Sequence, residues 1–344
     1  MKNSRGVIAL VALLCAAAGL AACGPESGVT EVRIPKGAGG VGFLPLLVME
    51  QHRLIEKHAS EAGVENVSVR WIDIGGPAVV NDALLSGSAD FIAAGPPGFL
   101  TLWDRTRSSA RVTGVAAMTS LPMYLNTAAE HLHTLDDLTD QDKIGVTAPK
   151  VSIPAIIMQM YARATHGPDA VNRFDRYTVT MTHPDGVIAL LSGSGAITAH
   201  YTSPPFHQRE RKDPRIRTIM TSDDVMGGAT TFTMMSTTAR FRDGNPEIYA
   251  AVLAALAEAN DMIVADRRAA AETLLTSMGG ERAGGGFTLE EIVDVLNDPD
   301  VTFTTTPQNV MRYAEFMHAV GSIDRLPASW QELFFPEIHG APGS

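Results

Sequence analysis

The chain has 344 residues, 45% hydrophobic and 19% charged, the balance of a globular protein long enough for two domains with substantial cores. Its net charge of −11 argues against a nucleic-acid partner, which rewards clustered Lys and Arg. It constrains a small ligand little, because a local cleft can oppose the overall sign.

The first segment, MKNSRGVIALVALLCAAAGLAAC, carries Lys2 and Arg5, then an apolar run too short for a membrane-spanning helix, then small residues. It ends in Leu20-Ala21-Ala22-Cys23, which resembles the lipobox of bacterial lipoproteins. That resemblance implies a leader over 1–22, a lipid on Cys23, a tether over 23–29 and an extracytoplasmic, membrane-anchored protein. A plain secretory leader cut elsewhere is the alternative. Loss of Lys2 and Arg5 takes the net charge from −11 to −13. Cys15 leaves with the leader, so no internal disulfide is expected and stability must come from burial.

Short apolar runs then alternate with helical patterns. EVRIP is followed by the helical FLPLLVMEQHRLIEK, and VSVRWIDI by a helix ending in ALLSGS, with Gly87 at its C-cap. ADFIAAG, RVTGVAAM, KIGVTAP, YTVTMT, GAITAHY, RIRTIMT and TTFTMMST continue the strands, and PAIIMQMYARA is helical. Near the C-terminus, Asn245-Pro246 opens a helix whose Ile248, Val252 and Leu256 share one face. Thr288 and Glu291 form a capping box, and Thr306-Pro307 is expected to open a helix through Met317 that stops at Gly321. The alternation predicts an α/β protein with mainly parallel sheets.

ALLSGS occurs twice, at Ala83 and Ala189, and both copies run on into a strand, a Pro-Pro pair and a Phe. Pro35-Lys36 and Pro149-Lys150 form a second, weaker echo. The offsets of 106 and 114 residues imply one unit used twice, hence two similar lobes. Ligands of open α/β sheets bind at strand carboxyl ends, so the repeated loops should face each other across a cleft.

The order of GFLPLLVMEQHRL, ALLSGSADFIAAGPP, LPMYLNT, LDDLTDQDKIGVTAP and the second SPPF loop resembles the solute-binding proteins of bacterial ABC importers. The group covers aliphatic sulfonates, taurine, nitrate and thiamine-precursor pyrimidines. The resemblance implies two Rossmann-like lobes joined by two crossover strands: the periplasmic binding protein type II fold. Lobe 1 would comprise 30–125 and 229–344, and lobe 2 would be 126–228. It implies a monomer that binds a small anionic or heteroaromatic nutrient and docks on a permease and its ATPase, with no cofactor and no catalysis.

The expected ligand contacts are Gly39, Gly40 and Phe43 in the first loop, Gly76 in the second, and Gly95, Pro96 and Pro97 in the third. Ser152, then His200, Tyr201 and Thr202, and Thr231 on the returning strand complete the set. Open N–H groups at helix starts suit an anion. Phe43 serves equally as a core residue, Ser152 as a simple helix cap, and Lys36 and Lys150 as solvated strand ends instead of anion attractors.

Enzyme readings fare worse. Gly37, Gly39 and Gly42 fit a dinucleotide fingerprint, but Asp73 lies 31 residues beyond Gly42, where about 20 is usual. His131 and His133 lack a third metal ligand. LSGSGA lacks the first Gly of a nucleophile elbow, and a Cys-rich iron motif on the same fold has no counterpart. A ligand-sensing lipoprotein stays open as the rival to an importer component.

Overall fold

The computed structural model describes residues 30–37, 39–74, 77–280 and 286–344. The leader, Cys23, the tether and Gly76 lie outside the described residues. The first half alternates β1 (Thr30–Pro35), α1 (Leu44–Gln51), α2 (Leu54–Glu61), β2 (Val67–Ile72), α3 (Pro77–Ser86), β3 (Phe91–Ala94), α4 (Pro96–Thr106), β4 (Val112–Ser120) and β5 (Tyr124–Thr127). There follow β6 (Ile144–Val146), α5 (Ile153–His166), β7 (Thr178–Thr180), α6 (His183–Ser192), β8 (Ala199–Thr202), α7 (Phe206–Arg211), β9 (Arg217–Thr221), α8 (Ser222–Met226) and β10 (Thr231–Thr238). The last part is helical: α9 (Ala239–Gly244), α10 (Pro246–Ala265), α11 (Arg267–Ser277), α12 (Leu289–Leu296), the short β11 (Thr302–Phe303), α13 (Val310–Ala319) and α14 (Trp330–Leu333).

Two sheet systems result. In lobe 1, β1 and β2 pair in parallel, and β11-β4-β10-β3 form a second ladder. Arg33 and Asp90 tie the two together: the Asp90 backbone N–H donates to Arg33 O (2.8 Å), and the Arg33 guanidinium grips the Asp90 carboxylate through Nε (3.0 Å) and Nη2 (2.8 Å). In lobe 2 the order is β7-β6-β8-β5-β9.

The expectation of mainly parallel sheets is corrected. β10 runs antiparallel to β3 and β4, and β5 runs antiparallel to β8 and β9. These two strands carry the chain between the sheets, and each enters its new sheet against the direction of the βα units. A second correction concerns Thr306-Pro307. The helix begins only at Val310, because residues up to Gln308 extend beside β10: Thr231 N–H donates to Gln308 O (3.0 Å), and Gln308 N–H donates to Thr231 Oγ1 (2.8 Å).

The local signals that end and start helices act as expected elsewhere. Gly87 and Gly193 adopt left-handed φ of 74° and 62° after α3 and α6, where a Cβ would be strained. Thr288 and Glu291 exchange both capping bonds at the start of α12. Helix α10 is long and apolar enough to cross a membrane by composition alone. Here it is a core helix, with Val252, Ala255, Leu256 and Ala259 buried against α1 and α2.

Candidate functional site

Between the two sheets lies a cavity of about 430 Å³. Lobe 1 contributes Gly37, Gly39 and Phe43 from the loop after β1, Val80 from α3, and Ala93, Ala94, Gly95, Pro97 and Gly98 around the end of β3. Phe232 and Thr233 come from β10. Lobe 2 contributes Thr147 after β6, Val151 to Pro154 at the start of α5, and Thr180 to His183 between β7 and α6. Met123, just before β5, also touches it.

The loops approach closely around this space. Val41 N–H points to Pro204 O across the lobes (3.4 Å), and a Cβ on Gly40 would lie 3.3 Å from the Phe206 ring. A Cβ on Gly95 would lie 2.9 Å from Ile153 Cδ1. Glycine at 40 and 95 therefore lets the lobes meet. Both Pro-Pro turns are at the gap: Pro97 forms part of the wall, and Pro204-Pro205 abuts Gly40.

Of the residues expected from sequence, Gly39, Phe43, Gly95, Pro97 and Ser152 line the cavity. Apart from Gly76, which lies outside the described residues, the others sit beside or behind it. Gly40 faces the Pro204–Phe206 turn. Pro96 is buried at the first position of α4. Thr231 is fully buried, with its hydroxyl oxygen accepting from Gln308. His200, Tyr201 and Thr202 are each fully buried: α6 packs against β8, with Gly186 against the His200 ring and His183 bonded to Thr202, and Glu210 of α7 reaches His200. His200 Nδ1 bonds Glu210 Oε1 (2.5 Å), and Tyr201 Oη has no partner among the described residues. Thr202 supports the wall indirectly through a 3.0 Å bond to His183 Nδ1.

Ser152 precedes α5 without capping it; its hydroxyl donates backward to Ala148 O (2.5 Å). The Thr182 hydroxyl donates to Asp185 Oδ2 (2.6 Å), and that of Thr233 to Gly42 O (2.6 Å). These three lining hydroxyls thus spend their protons on the protein. Thr147, Thr180 and the second ring nitrogen of His183 make no such bond among the described residues. Burial, reinforced by the His200 ring, pushes the His183 imidazole down to about 3, so it is neutral at physiological pH. Lys36 does not enter this cavity: it pairs with Glu50 (2.8 Å) and Asp73 (3.9 Å) beside α1. Lys150 is exposed, with a left-handed φ of 68°.

His183 was absent from the sequence-level set, yet a signal for it existed. The 106-residue repeat maps Pro77, the end of an expected cleft loop, onto His183. Phe232 and Thr233 adjoin Thr231 on a strand; which of the neighbours faces the gap depends on register, which no short-range pattern supplies.

No family model matches the chain, and no curated protein matches it. Solved structures do. The periplasmic aliphatic sulphonate binding protein SsuA from Escherichia coli aligns with a TM-score of 0.62 at 17% identity, covering 90% of this chain and 93% of that one. The alkanesulfonate-binding protein SsuA from Xanthomonas axonopodis pv. citri, bound to MOPS, aligns at 0.63 and 16% over 89% and 96%. The desulfurization enzyme DszB aligns at 0.53 and 12% over 90% and 97%. With its two sheets, exchanged strands and intervening cavity, the chain has the periplasmic binding protein fold.

Proposed function

We propose that the protein is an extracytoplasmic, lipid-anchored solute-binding protein that delivers a small organic molecule to the permease and ATPase of an ABC importer. The observation that carries this reading is the cavity of about 430 Å³ walled by loops of both sheets. A ligand there stabilises the closed form, because only approach of the lobes lets both loop sets touch it. The likeness to SsuA structures supports capture as the role. So does the wall itself: His183 is its single titratable side chain among the described residues, and no carboxylate bonds it. The lobe boundaries 30–125 with 229–344 and 126–228, the monomeric state, and Gly39, Phe43, Gly95, Pro97 and Ser152 as ligand contacts belong to this proposal. The likeness to DszB favours one alternative, an enzyme on the same fold.

Native mass spectrometry of the protein purified from its own host tests the reading. One small molecule bound per chain and released unchanged is the expected result. Chemical conversion of that molecule would establish the enzyme, and a chain with no bound or bindable metabolite would overturn both. The anchor is tested separately. Cys23→Ser should move the protein from the membrane to the soluble fraction; a variant still membrane-bound after leader removal would contradict lipidation at Cys23.

A further inference from the structure

Resting on that reading, the chemistry of the wall narrows the ligand. No Lys, Arg, Asp or Glu is among the described residues that line the cavity. The two Lys residues nearest in sequence are elsewhere: Lys36 is held by Glu50, and Lys150 is exposed outside the lining. Helix starts, the usual neutral anion holders, are weakened here. Helix α4 opens with Pro96-Pro97, and α5 and α6 carry Pro154 and Pro184 in their first turns, so four of the first-turn N–H donors are missing. Asp185 adds a carboxylate to the first turn of α6. A permanent anion enclosed by such walls would lose its hydration without gaining a charged partner.

The two faces also differ. Lobe 1 presents Phe43, Phe232, Val80 and Pro97, an apolar surface whose only lining hydroxyl among the described residues, Thr233, is spent on Gly42 O. The unspent polar side chains among the described lining residues, Thr147, Thr180 and His183, all stand on lobe 2. Thr202 Oγ1 and His183 Nδ1 share one hydrogen bond, which leaves Nε2 of the neutral ring free for a ligand. The volume sets the size. A cavity of about 150 Å³ holds one benzene ring, so about 430 Å³ accommodates a two-ring body with some water. Nitrate or taurine would leave most of it unfilled.

We infer that the ligand is an uncharged, largely apolar molecule of about two rings, with its flat body against lobe 1 and one polar edge toward Thr147, Thr180 and His183. Its neutral imidazole fits this role, since burial holds His183 far below its ordinary value.

A matched pair of probes tests the inference by calorimetry on the full mature chain: 2-naphthol and 2-naphthalenesulfonate share a ring system and differ in charge. The naphthol should bind about tenfold or more tightly than the sulfonate, with little dependence on salt. His183→Ala should weaken naphthol binding about three- to tenfold, and His183→Gln, which keeps an N–H donor, should restore part of it. Val151→Arg, which adds a cation at the cavity wall, should shift preference toward the sulfonate. Equal or tighter binding of the sulfonate by the unmodified chain, or binding of taurine or nitrate, overturns the inference and leaves the solute-binding reading intact. If neither naphthalene binds, the molecule found by native mass spectrometry decides: a neutral species supports the inference, and an anion overturns it. Absence of any bound molecule overturns the solute-binding reading as well.

Discussion

At the scale of single residues, the cavity wall depends on small groups that make room for large ones. A Cβ added to Gly42 would lie 2.2 Å from the Phe232 ring, so Gly42→Ala must push that ring away from its seat beside the cavity. Gly42 has no positive φ, so the expected damage is local crowding of about 1–3 kcal/mol. Ligand affinity, read by calorimetry, should fall with it; unchanged affinity would contradict the placement of Phe232. The imidazoles make a second prediction. His183 is pushed down to about 3 by burial and the His200 ring, and His207 to about 4 by burial and Arg211. In the unfolded chain both titrate near 6.5. Their contribution is therefore complete above about pH 6.5 and is lost as pH falls toward the folded values. Stability should drop by roughly 2 kcal/mol per imidazole between pH 7 and pH 5. The half-buried Asp223 carboxyl, pushed up by desolvation, acts in the opposite sense. Urea unfolding across that range checks it, with His183→Gln removing its own share; a flat curve would contradict the account.

At the scale of elements, one buried polar cluster holds α7 onto the lobe 2 sheet. Glu210 on α7 takes His200 of β8 through Oε1 (2.5 Å) and Asn126 of β5 through Oε2 (2.7 Å). The Thr218 hydroxyl of β9 donates to Asn126 Oδ1 (2.7 Å). Gly186 in α6 leaves space for the His200 ring, since a Cβ there would lie 2.3 Å from Nε2. Glu210→Ala strands two buried partners and should cost about 3 kcal/mol, measured by urea unfolding; a loss below about 0.5 kcal/mol would show that the cluster contributes little. This cluster also explains why the site was only partly legible. Strands, helix stops and the capping box at Thr288 follow from short-range patterns and could be read directly. Gly39, Phe43, Gly95, Pro97 and Ser152 stand at strand-to-helix turns, which such patterns also mark. His200, Tyr201 and Thr202 follow the same rule in sequence, but α6 and the six-residue α7 close over His200 and Thr202, Tyr201 is buried as well, and nothing local announces that cover. The antiparallel entry of β5 and β10 is likewise a property of how distant segments meet.

At the scale of the whole molecule, the repeated ALLSGS unit places α3 and α6 on opposite sides of one gap, with Val80 and His183 in its wall. One large hydrophobic cluster runs through both sheets, and a small one, Leu190, Ile197 and Ile216, backs α6. Capture by closure requires the lobes to approach each other around a single small guest. It is tested most directly by the distance between spin labels at Leu85→Cys on α3 and Ile188→Cys on α6, both exposed, in a Cys15→Ser, Cys23→Ser background that leaves the chain no other thiol. Measured by double electron–electron resonance, the distribution should shorten and narrow when the cavity is saturated with the molecule that co-purifies with the protein. A distribution that stays the same while calorimetry reports binding would contradict capture by closure.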